Sequence, residues 1–72
     1  QNQVQGSIIL LPNTLLKNAE IVVYNLLGQE LKTIFNFSGQ EINIPTTGFS
    51  RGIYLVKIKN NNQIVTGKFV LK

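Results

Sequence analysis

The chain contains no cysteine, histidine, methionine, tryptophan or aspartate, and each absence removes a chemistry. Without cysteine no disulfide supplements the core, and without Cys, His or Met there is no ligand set for a zinc, haem or copper site. Without aspartate, calcium loops of the usual kind are missing. Ser7, Ser38 and Ser50 have no histidine to activate them, which excludes the common nucleophilic triads. The only acids are Glu20, Glu30 and Glu41. Alternation places each at a solvent-facing strand position, so they read as solvated surface charge rather than the carboxylate pair of a glycoside hydrolase. No enzyme activity, metal or cofactor is expected.

No window approaches the ~18 consecutive apolar residues of a membrane helix, so no membrane insertion is expected. Gln1-Asn2-Gln3-Val4-Gln5 lacks the basic and apolar blocks of a signal peptide, so an exported form would be a piece of something larger. The lack of cysteine is compatible with a periplasmic or extracellular location and equally with the cytosol.

What remains is one small domain of 72 residues. A chain this short buries only about 60% of the surface its unfolded form exposes, so its stability rests on packing and strand pairing. Residues 1–6, polar and Gln/Asn-rich, read as a linker, and residues 7–72 as the single domain. Ser7 to Leu11 is a short apolar run stopped by Pro12-Asn13. Ala19 to Asn25 carries Ile21, Val22, Val23 and Tyr24 in series and is expected to be a central strand. Leu26-Leu27-Gly28-Gln29 reads as a turn, with Gly28 supplying a positive φ.

From Glu30 to Phe37 the alternation puts Leu31, Thr33, Phe35 and Phe37 on one face and Glu30, Lys32, Ile34 and Asn36 on the other. Ser38-Gly39 reads as the next turn. Ile42 and Ile44 point inward along a strand ended by Pro45, and Thr46 to Arg51 is a loop. In the closing hairpin Tyr54, Val56 and Ile58 share a face opposite Lys57 and Lys59, Asn60-Asn61-Asn62 reverses the chain, and Val65, Phe69 and Leu71 share a face with Gly67 between them. No stretch carries a helical stripe of useful length; Leu15 to Val23 is the nearest, and its β-branched tail argues against it. The fold class is all-β: six to seven short strands in a small antiparallel, Ig-like sandwich.

The net charge of +4 and the rings of Tyr24, Tyr54 and the phenylalanines invite a nucleic-acid reading. Stacking requires rings and charges on one exposed face, and alternation puts Tyr54 opposite Lys57 and Lys59. No nucleic-acid partner is therefore expected; lysines on strand faces already serve to discourage edge aggregation. An accessory carbohydrate-binding or adhesive module of an extracellular enzyme is the alternative, weakened by the lack of tryptophan.

Three segments in order carry a resemblance: Ile21-Val22-Val23-Tyr24-Asn25-Leu26-Leu27-Gly28-Gln29-Glu30-Leu31, then Gly52-Ile53-Tyr54-Leu55-Val56-Lys57-Ile58, then Lys68-Phe69-Val70-Leu71-Lys72. Over about residues 7–72 the chain resembles the type A C-terminal sorting domains of the bacterial type IX (Por) secretion system. It departs from them at the start, where they commonly open with a Pro-Asn-Pro element and this chain has Pro12-Asn13 in a different place. The resemblance implies a sorting signal for a cargo lying N-terminal to it, export through the periplasm, recognition by the type IX translocon and its sortase components, and frequent cleavage with attachment at the cell surface. Tyr24, Tyr54, Val56, Ile58 and Phe69 are expected in the core, with Gly28 and Gly52 setting turns. Lys68 to Lys72 is the expected recognition signal, Lys68, Val70 and Lys72 facing outward.

Overall fold

The computed structural model describes Gln3, Val4 and residues 6–72. Among them there is no helix, and the strands are β1 (Gln3–Val4), β2 (Ser7–Leu10), β3 (Leu16–Tyr24), β4 (Glu30–Gly39), β5 (Ile42–Pro45), β6 (Phe49–Ser50), β7 (Gly52–Asn60) and β8 (Gln63–Leu71). Of the expected linker over residues 1–6, residues 1, 2 and 5 lie outside the described residues; within it, Gln3 and Val4 pair with Ser50 and Phe49.

One layer is a four-stranded antiparallel sheet in the order β4-β3-β7-β8, which makes β3 central as its run of β-branched residues predicts. The other layer is the antiparallel ladder β2-β5, with Ile8 opposite Ile44 and Leu10 opposite Ile42. Ile42 and Ile44 are fully buried between the layers against Ala19, Ile21, Val23, Tyr54 and Val56. The architecture is thus an all-β sandwich, with a narrow two-stranded layer lying over a broad four-stranded one. Thr46, 1% exposed, secures the edge of the narrow layer: its amide donates to the Gly6 carbonyl, and its carbonyl accepts from Phe49, both at 2.9 Å.

β4 departs from the simple alternation. Its register against β3 shifts three times: Leu31 is extra between the Tyr24–Glu30 and Val23–Lys32 pairs, and Phe35-Asn36 face the single Glu20. Lys17-Asn18 supply the third irregularity, on the β3 side. Asn36 and Asn18 both sit at positive φ, 55° and 51°, a conformation asparagine tolerates better than most residues. Each bulge reverses the phase, so Ile34 and Phe37 pack on the core while Leu31 and Phe35 are exposed. The expected common face of Leu31, Thr33, Phe35 and Phe37 is therefore split.

Tyr24 also departs from expectation. Ile21 and Val23 take the inward phase of β3, which turns Tyr24 to the outer face of the four-stranded sheet, half-buried, where the Lys57 Nζ lies 5.8 Å from its ring centroid. Tyr24 therefore lies outside the core. Val65 takes the inward phase but remains 59% exposed, because the two-stranded layer does not extend over it.

Candidate recognition surface

The three segments singled out in the sequence converge at one end of the four-stranded sheet. β3 ends there at Tyr24 opposite Leu55, β7 starts there at Gly52, and Gly52 pairs with Leu71 at the end of β8. Each segment reaches that end through a local device. Asn25 builds the first turn: its Oδ1 accepts the amides of Leu27 and Gln29, each at 2.9 Å, and its Nδ2 donates to Gln29 Oε1 at 2.6 Å. Gly28 completes it at φ 85°, and Leu26 and Leu27 are held at the tip, 63% and 86% exposed. An apolar pair inside a turn was a signal available in the sequence, and Asn25 two residues before Leu27 was another.

Gly52 adopts φ 147°, outside the range a side chain accepts easily. Two residues later Tyr54 turns inward, its ring stacked between Phe49 (centroids 5.1 Å apart) and Phe69 (5.4 Å). Its hydroxyl donates to the Ser50 carbonyl at 2.5 Å, four residues upstream, as in the tyrosine corner of sandwich domains. The Gly-Ile-Tyr element is thus accounted for by packing: glycine sets the corner, and tyrosine fills the core and closes the corner with its hydroxyl.

The C-terminal end of β8 divides by phase, while farther back the inward-phase Val65 and Gly67 are exposed. Phe69 and Leu71 are buried, whereas Lys68, Val70 and Lys72 are exposed. Its register with β7 runs unbroken through nine pairs, Gly52–Leu71 to Asn60–Gln63. Among the described residues nothing pairs with its other edge. Lys57, Lys59 and Lys68 lie on the outer face of this hairpin, and neither β7 nor β8 contains an acid. The glutamates are dispersed: Glu20 is half-buried opposite Lys59, Glu30 accepts from the Thr33 hydroxyl at 2.5 Å, and Glu41 lies in the connection before β5 rather than in a strand.

On the inner side of β8 an open cleft of about 320 Å³ runs between β8 and the β2–β3 connection, lined by Leu10, Leu11, Leu16, Val56, Ile58 and Val65 among others. It exists because the two-stranded layer covers only part of the sheet. Phe35, the most exposed aromatic at 68%, lines neither this cleft nor the shallower hollow beside Tyr24.

The family model of the secretion system C-terminal sorting domain matches residues 2–72. The chain belongs to this family. It is a C-terminal sorting domain of type IX secretion, the segment of a cargo protein that the secretion machinery recognises and that directs export toward the cell surface. The family is a secretion signal rather than a catalytic one. No curated protein and no solved structure matches the chain.

Proposed function

We propose that the type IX translocon reads the sorting domain at Lys68 to Lys72, through the exposed row Lys68, Val70 and Lys72, while Phe69 and Leu71 hold that row in place. The observation that carries this reading is the alternation of buried and exposed residues over Lys68 to Lys72, at the end of the sheet where the three segments that carry the resemblance meet. Gly28, Gly52, Tyr54, Val56 and Ile58 support it from behind by fixing the turns and the core. Tyr24 supports it from the outer face, where it flanks Lys57.

In this reading the cargo lies N-terminal to the domain, crosses the periplasm folded at its tail, and meets the translocon and then the sortase components, which cleave the domain and attach the cargo at the surface. Residues 7–72 are the unit that is read.

The test fuses the chain to a periplasmic reporter in a bacterium that possesses the system. Removing Lys68 to Lys72 outright would also delete two core residues, so the informative change is Lys68→Glu with Lys72→Glu, which touches exposed positions alone. We expect the unaltered fusion at the surface or in the medium and the double variant retained in the periplasm. Periplasmic retention of the unaltered fusion, or normal export of the double variant, contradicts the reading.

A further inference from the structure

Gly67 sits at the middle of β8, and nothing in the domain itself requires a glycine there. It does not adopt a positive φ, and a Cβ built on it would meet no heavy atom within 4 Å. Both neighbours in phase along the inward face, Val65 and Phe69, carry side chains, so glycine leaves a notch in an otherwise apolar row opposite Val56. An interior strand glycine without a local reason commonly marks a place where another backbone or a ligand approaches closely. The notch opens directly into the apolar cleft beside β8.

The two edges of the four-stranded sheet differ in a way that points to the same place. β4 is interrupted by bulges, which twist an edge and blunt it against pairing, whereas β8 is regular over its whole length and has no proline. We infer that β8 receives an added β-strand from its partner, and that this strand seats one large apolar or aromatic side chain in the notch over Gly67. The inference rests on the reading that the machinery recognises the β8 end, and it names how the contact is made: main-chain bonds along the edge supply affinity, and alternate side chains supply selectivity. An aromatic residue on a neighbouring strand is a known way to cover a strand glycine.

Charge defines the other face of the incoming strand. Lys68, with Lys72 beyond it, projects from the outer side of β8 itself, a strand that carries no acid, so the partner strand presents carboxylate there; Lys57 and Lys59 stand one strand away on β7, Lys57 beside Tyr24 and Lys59 opposite Glu20. A second copy of this chain pairing through β8 meets the charge requirement in no register, because β8 carries no acid to set against Lys68. Pairing β8 with itself antiparallel about Gly67 would set glycine opposite glycine, leaving the notch empty, and would place the two Lys68 side chains diagonally across the junction, where like charges repel.

The test uses Gly67→Val in the reporter fusion, with Gly67→Ala as the milder variant and the Lys68→Glu, Lys72→Glu pair alongside. Because the space is open and the backbone extended, valine should leave the unfolding midpoint of the chain at or above its original value. Export should nevertheless fall at least tenfold with valine and less with alanine, while Lys68→Arg keeps it. Normal export of a folded Gly67→Val variant overturns the added strand; if the lysine pair still blocks export, the recognition reading stands without it. Normal export of the lysine pair overturns the recognition reading instead. A chain that dimerises in solution and loses that dimer on Gly67→Val has β8 paired with its own copy, and this too overturns the inference.

Discussion

Tyr54 shows how one side chain serves two roles. Its ring contributes stacking on two sides within the core, and its hydroxyl closes the corner after Ser50. Tyr54→Phe keeps the first role and removes the second, leaving the Ser50 carbonyl without this donor. We expect a loss of about 1 kcal/mol in urea unfolding at unchanged slope, the scale of one net hydrogen bond. A loss above about 3 kcal/mol would mean that the ring, too, had moved. Because the hydroxyl is directed inward, the same variant should leave export intact. Tyr24 makes the opposite point: both tyrosines lie in the segments on which the resemblance was read, yet one is interior and the other lies under a lysine on the outer face. The sequence did not distinguish them because Ile21-Val22-Val23-Tyr24 is apolar throughout, and a continuous apolar run carries no phase.

At the scale of elements, β7 and β8 were legible from their alternation, and their partition into inward Tyr54, Val56 and Ile58 and outward lysines matches the structure. β4 was not, because a bulge adds one residue and so inverts every side chain beyond it. The cue was Asn36, which lies in a run otherwise suited to a strand and takes the left-handed conformation. Replacing Asn36 by valine forces a β-branched residue into that region, and we expect a cost of about 1–3 kcal/mol in chemical unfolding. Asn36→Gly should fall within about 1 kcal/mol of the original chain. Equal stability of the valine variant would mean that the bulge is readily removed, and with it the difference between the blunted β4 edge and the open β8 edge. The cleft beside β8 could not be read from alternation either. Alternation says which way Val65 points, but only the placement of the two-stranded layer says that nothing covers it.

The whole molecule, 39 × 22 × 18 Å in extent, is a long four-stranded sheet with a shorter cover, and its division of labour follows from that mismatch. The covered part holds the fold, through Ile42 and Ile44 packed on β3 and β7. The uncovered part leaves β8 available to a partner. Truncating the covered part should act through stability: Ile44→Ala, at a fully buried position, is expected to cost about 2–5 kcal/mol and to lower export only as far as it depletes folded protein. Changing the uncovered face should act through recognition. The most direct measurement is the exported fraction of the reporter fusion, plotted against unfolding midpoint, for Ile44→Ala and for Lys68→Glu with Lys72→Glu. A recognised β8 face predicts that the lysine pair loses export while its midpoint stays with the original chain. If the exported fraction instead follows the midpoint alone, with the lysine pair exported normally, the β8 face is not what the secretion machinery reads.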